Sequence, residues 1–230
     1  MTDPRKQLAK LNPTNVRFDV GMGGGKPEFV RIDVAGALGY MDAGLPREVF
    51  EACWNPDGAR LHRHKLKDAV VALVAPELKR QRLRLSEAHL DLQLAEAAVA
   101  WSRAASHEQR REVEQRRERL AVIRAETWPQ NVMEQLPALT DAAIGEIARF
   151  HKCEQCEGRC FVIANELVTD CPACSATGFA QAPDLQRAHA LDEMDSRNFV
   201  RNWKPVYLWL LGRFRSAELK AREQFEAVAA

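Results

Sequence analysis

Two pairs of cysteines, Cys153-Glu154-Gln155-Cys156 and Cys171-Pro172-Ala173-Cys174, are the residues of this sequence whose type and spacing specify chemistry most directly. Each C-x-x-C knuckle wraps one side of a tetrahedral ion, and two knuckles separated by residues 157–170 form the pattern of a four-thiolate zinc site with Zn–S bonds of about 2.3 Å. Cys160 and His151 are spare donors beside this set, and Cys160 is expected to be a free thiol. Four thiolates close the coordination sphere, so the ion is structural rather than catalytic and the chain is not expected to be an enzyme. Between the knuckles, Phe161–Ala164 and Leu167–Thr169 read as a small β-hairpin turning at Asn165-Glu166. Such a hairpin is too small to hold together without the metal as its core.

Other chemistries fit these residues less well. A zinc deaminase needs H-x-E followed by P-C-x-x-C, whereas His151 is followed two positions later by Cys153, and the proline lies inside the second knuckle. A thioredoxin-like dithiol should follow a strand of a βαβ unit, and a second knuckle nearby favours metal. Gly21-Met22-Gly23-Gly24-Gly25-Lys26 lacks phosphate-loop spacing and reads as a loop between strand-like segments at Val16–Val20 and Glu28–Val34. Cys53, beside Trp54, reads as a buried structural thiol.

Downstream of the knuckles, Asp184–Leu191 reads as a short helix, 192–195 as a turn, and Ser196 as the N-cap of a second helix over Arg197–Trp203. Two short helices joined by a tight turn suggest a helix-turn-helix. The segment from Ser196 to Arg215 contains no Asp or Glu. Arg197, Asn198, Arg201, Asn202 and Lys204 are the expected DNA-binding residues, because Arg and Asn suit guanine and adenine edges and Lys suits phosphate. Phe199, Val200 and Trp203 are expected to face inward. Pro205 is expected to open a long helix whose Tyr207, Leu208, Leu211 and Phe214 pack beneath, with Trp209 and Leu210 off that stripe.

The elements that position these residues follow from composition. Residues 76–126 are rich in Leu, Ala, Glu, Arg and Gln, contain no glycine, and predict a helical hairpin broken near 104–106 by the capping box Ser106-His107-Glu108-Gln109. Leu78, Leu83, Leu85, Leu90, Leu92, Leu94, Val99 and Trp101 recur at mixed spacings, so the apolar stripe is imperfect. The second arm is dense in charge of both signs, which suits a solvated face. Its arginines Arg110, Arg111, Arg116 and Arg117 are a candidate partner surface. Thr140-Asp141 predicts an N-cap for a helix running to Lys152. Nearer the N-terminus, Pro46–Trp54 and Ala59–Ala75 predict short helices separated by a turn at Asn55–Gly58.

Length and charge set the remaining bounds. The chain has 230 residues, with 33 Lys and Arg against 32 Asp and Glu, so any nucleic-acid surface must be a local patch. No apolar run suits a bilayer or a signal peptide, and five of the six cysteines fall in one short segment, which predicts an intracellular, reducing location.

From Pro137 to Phe214 the sequence resembles the phage late-gene transcription antitermination proteins of the lambda Q type. The resemblance rests on the helix-then-zinc order, on CEQCEGRC and CPACSATGF as two C-x-x-C-x-G-x-G-like knuckles, and on NWKPVYLWL downstream. Cys160 stands where the last glycine of the first knuckle is expected, and Ala176 replaces the first glycine of the second. The resemblance implies a non-enzymatic regulator in a bacterial host's cytoplasm that binds double-stranded DNA at a late promoter. It further implies passage over terminators and contact with RNA polymerase through the β-flap and sigma factor, for which Arg110, Arg111, Arg116 and Arg117 are the candidate polymerase-binding residues. A zinc-containing helix-turn-helix regulator of initiation and a DnaJ-like polypeptide-binding module are the alternatives.

The expected fold is mainly α, a helical hairpin plus a helix-turn-helix domain with an inserted small zinc-binding β-hairpin. The expected organisation is an N-terminal region over 1–75, the helical hairpin over 76–128, a helix with the zinc hairpin over 129–183, and the helix-turn-helix with the C-terminal helix over 184–230. One structural zinc is the expected cofactor.

Overall fold

The computed structural model describes residues 31–102, 104, 106–149, 153–157, 159–164, 167–174, 178–191 and 195–229, together with Arg5. The elements are α1 (Arg31–Tyr40), α2 (Leu45–Trp54), α3 (Pro56–Leu61), α4 (Arg63–Trp101), α5 (His107–Glu126), α6 (Val132–Ala148), the antiparallel pair β1 (Phe161–Ala164) and β2 (Leu167–Asp170), α7 (Asp184–His189), α8 (Ser196–Asn198) and α9 (Lys204–Ala229). The fold is mainly helical. It divides into two compact units, Met1–Ala69 with Gln135–Ala230, and Val70–Glu134. Among the described residues, no helix is long and apolar enough to cross a membrane.

In the first unit, α9 supplies the spine. Val206, Tyr207, Leu210, Leu211, Phe214, Ala217, Ala221 and Phe225 recur every three or four residues and are all buried, as one face of a helix requires. The lower half of this stripe packs on α1 and α2 through Val34, Ala37, Leu38, Met41 and Phe50, with Phe50 and Phe225 ring centroids 6.0 Å apart. Glu218, buried on the same stripe, accepts from Arg5 (2.8 and 3.0 Å) and from Trp54 Nε1 (3.2 Å), so its charge is paired. Cys53 is buried, and burial pushes its thiol well above the usual range.

Several expectations change here. Residues 31–34, read as part of a strand from their Val and Ile content, begin α1, because Val34, Ala37, Leu38 and Met41 bury at helical spacing. Residues 28–30, the strand at 16–20 and the loop at 21–26 lie outside the described residues. The turn expected at 55–58 is instead the start of α3, with Asn55 Oδ1 accepting from the Gly58 amide at 3.3 Å as an N-cap. The helix expected to end at Ala75 continues through Pro76 to Trp101. Thr140 is not an N-cap: α6 starts eight residues earlier, and the Thr140 hydroxyl donates to Leu136 O at 2.7 Å within the helix. On the α9 stripe Leu210 is buried and Leu208 is 40% exposed, the reverse of the expectation. Trp209 is half-buried beneath the Arg213 guanidinium, 5.2 Å from its ring centroid.

The second unit contains the helical hairpin. Ser106 Oγ accepts from the Gln109 amide (3.2 Å) while Gln109 Oε1 accepts from the Ser106 amide (2.9 Å), the reciprocal capping box expected at this break. Ala88, Leu120 and Ile123 form the buried seam, flanked by Leu85 and Leu92. Arg84–Glu126, Asp91–Arg116, Asp91–Arg119 and Glu96–Arg117 ion pairs run alongside it at 3.0–3.2 Å and fix the antiparallel register.

Candidate metal centre and nucleic-acid interface

The two knuckles bring Cys153, Cys156, Cys171 and Cys174 together in one buried cluster, with all four Sγ atoms within 4.8 Å of one another. Cys153 and Cys171 Sγ are 3.8 Å apart, and Cys156 and Cys174 Sγ 3.7 Å. A tetrahedron with 2.3 Å arms places its vertices about 3.8 Å apart, so each of these two pairs already stands at the separation that one zinc ion requires. The donor set and its spacing fit that ion, which would supply the hairpin's core.

A pseudo-twofold relation organises the cluster. The Cys171 amide donates to Cys160 O at 3.0 Å, and the Cys153 amide donates to Gly178 O at 2.9 Å. Cys160 and Gly178 each stand seven residues after the first cysteine of their knuckle, and both adopt left-handed backbone, with φ of 71° and 77°. Cys160 is therefore the first knuckle's counterpart of Gly178, and it stands outside the four-thiol cluster. His151, the other spare donor, lies outside the described residues, as does the Asn165-Glu166 turn.

The surroundings of the sulfurs are polarised by nearby amides. The Gly178 amide donates to Cys174 Sγ at 3.3 Å. Burial carries the Cys171 thiol up to about 11. At Cys174 the Gly178 amide and the neighbouring thiols outweigh burial and bring the value down to about 7. Val162 of β1 packs on the cluster, and the ladder runs from Phe161 opposite Asp170 to Ala164 opposite Leu167.

The hairpin is an excursion from the helical unit, and a buried ionic network secures the two ends. Arg187 of α7 donates to both Glu146 oxygens of α6 at 2.8 Å, with Arg187 and Glu146 side chains 4% and 8% exposed. Tyr207 Oη donates to Glu146 Oε2 at 2.9 Å, and Arg215 reaches Oε1 at 3.4 Å. Burial opposes ionisation of Glu146, yet the Arg187, Tyr207 and Arg215 donors outweigh it and hold the carboxyl below its usual range. A cavity of about 790 Å³ opens beside this network, with Ala142, Ile147, Phe179, Pro183 and Leu219 in its wall. No short-range signal announces the network, since the partners of Glu146 lie 41 to 69 residues from it in the chain.

The expected DNA-binding residues sit at the start of the C-terminal helix. Asp195 caps it by accepting from the Asn198 amide at 3.1 Å, so the cap lies one residue before Ser196. From Ser196 the backbone is helical without interruption to Ala229, passing through a π-helical turn at Phe199–Trp203 in which the Lys204 amide donates to Phe199 O. Pro205 does not open a new helix. It has no N–H for Arg201 O, and the widened turn just before it absorbs the mismatch. Arg197, Arg201 and Asn202 are exposed, and Asn202 Nδ2 donates to the half-buried Asn198 at 2.7 Å. Phe199 and Trp203 are buried as expected, but Val200 is 48% exposed, because it lies round the turn from that pair. Lys204 is held at 2.6 Å by Asp184 of α7.

Arg110, Arg111, Arg116 and Arg117 lie on α5 of the other unit. Arg110, Arg111 and Arg117 are exposed and Arg116 is half-buried. Arg116 pairs with Asp91 and Glu112, and Arg117 with Glu96 and Glu114, at 3.1–3.2 Å. Compared with protein-family models and with curated proteins, the chain matches neither a family nor an individual sequence.

Proposed function

We propose that the protein is a DNA-binding transcription regulator of the late-gene antitermination kind that its sequence resembles, with zinc as a structural cofactor. The observation that carries this reading is the exposed Arg197, Arg201 and Asn202 surface, on a helical segment that holds no acidic residue from Ser196 to Arg215. In this reading α7 and the helix opening at Ser196 act as a helix-turn-helix. The latter is the recognition helix, and Lys204 orients α7 through Asp184 instead of meeting phosphate. The closed thiolate cluster suits a structural role and leaves no open position for hydrolysis.

Two measurements test it. Duplex affinity compared between a late-promoter element and random sequence, across salt concentrations, should fall by about 1–3 kcal/mol for Arg201→Ala if the side chain reaches a base edge. In-vitro transcription with a terminator downstream of such a promoter should show readthrough only with the added protein. Unchanged DNA affinity in Arg201→Ala removes the recognition helix, and a change in initiation without readthrough reassigns the protein to regulators of initiation.

A second reading has one observation in its favour. Phe161, Ile163 and Val168 of the hairpin are 41%, 69% and 68% exposed, an apolar face suited to an extended polypeptide. Salt-independent binding of an unfolded protein, with no duplex affinity, would favour that module.

A further inference from the structure

Helix α4 has two apolar seams on opposite sides. The buried one runs through Val74, Leu78, Leu85, Ala88 and Leu92, of which Leu85, Ala88 and Leu92 meet Leu120 and Ile123 of α5. The other runs through Leu83, Leu90, Leu94 and Trp101, which are 54%, 55%, 61% and 88% exposed. Their spacing of seven, four and seven residues covers five turns at 3.6 residues per turn, so all four stand on one line about 27 Å long, roughly 180° from the buried seam. Half-buried Ala97 fills the same line. The mixed spacing of apolar residues in this stretch is thus the sum of two regular stripes, one of which stays exposed among the described residues of its unit.

We infer that the Leu83–Trp101 seam is a self-association surface on which two copies of this chain pair their α4 helices antiparallel. Three observations favour a second copy. Two of the charges flanking the seam are neutralised within their own hairpin, Arg84 by Glu126 and Asp91 by Arg116 and Arg119, which leaves Glu87 as the charge that a second copy must accommodate. Antiparallel pairing centred at position 92 stacks Leu83 on Trp101, Leu90 on Leu94, and Glu87 on the small Ala97. Parallel pairing would instead place Glu87 against Glu87, which costs stability. The area also suffices: at about 100 Å² per leucine and about 200 Å² per tryptophan, plus flanking side-chain stems, two copies bury roughly 1,200 Å², the lower end for a specific interface.

The test is sedimentation of the full zinc-loaded chain. The parent should be a dimer of 25.9 kDa chains, and Leu90→Glu with Leu94→Glu should raise its dissociation constant at least about 100-fold, since charges would be buried unpaired at the seam. Both substitutions are at exposed positions, so helical circular dichroism and zinc content should not change. Val122→Glu, exposed on α5, should stay dimeric. A disulfide between Glu87→Cys chains and Ala97→Cys chains, but not between two Glu87→Cys chains, reports the antiparallel register. A parent that is monomeric at about 100 μM, a double variant that still dimerises, or self-crosslinking of Glu87→Cys overturns the proposal. The first outcome would leave the seam to a different protein.

Discussion

Cys160 and Gly178 occupy equivalent positions with the same left-handed φ, but only glycine adopts it without a side-chain penalty. Cys160→Gly should therefore keep full zinc content and raise stability by about 1 kcal/mol in a denaturant titration, and loss of zinc would return Cys160 to the ligand set. Cys171→Ser should give the opposite result. It removes one of four thiolates from a site whose metal is worth about 10–16 kcal/mol, so metal analysis should find less than one equivalent and the hairpin should lose its protected amides. Glu146 governs a different kind of stability. Removing it as Glu146→Ala leaves Arg187 buried without its main partner and should cost about 3–5 kcal/mol. Because the folded carboxyl ionises below its ordinary 4.5, the pair contributes fully above that pH, and the parent should lose stability as acid protonates it while Glu146→Ala should not. The cysteines were legible in the sequence because ligand spacing is local. Glu146 was not, because its partner lies 41 residues away and nothing near Glu146 in the chain marks it as buried.

Helices were legible where a side chain caps or periodicity is clean, and obscured where proline or β-branched residues sit inside them. The Ser106 box acts over three residues and was readable at once. Residues 31–34 look like a strand until Phe50 and Phe225 are known to lie over the helical face that they begin. Pro76 lies in an exposed interior turn of α4, where it removes a backbone donor and crowds the preceding carbonyl. Pro76→Ala should raise hairpin stability by about 1–3 kcal/mol, measured by thermal or urea unfolding. On α5, reversal at Arg116 and Arg117 would break the cross-hairpin pairs with Asp91 and Glu96, mixing any polymerase defect with a structural one. Arg110→Glu with Arg111→Glu spares those pairs and is the cleaner probe of the proposed polymerase surface. It should leave duplex affinity intact and abolish terminator readthrough. Readthrough at the parent level would make this face of α5 a solvated spacer.

At the scale of the whole molecule, the first unit is assembled from both ends of the sequence, with α1 and α2 on the far end of α9, and this long-range closure is what periodicity in short windows could not show. The same unit carries the thiolate hairpin as a loop whose entry and exit are joined by the Glu146–Arg187 pair, with Tyr207 of the spine added to that joint. Fastening the two ends in this way decouples the loop's order from that of the helices. Stripping the metal with a chelator should thus let a protease cut within residues 150–182, and the two pieces should still co-elute as a nicked but folded body, held by a joint that needs no metal.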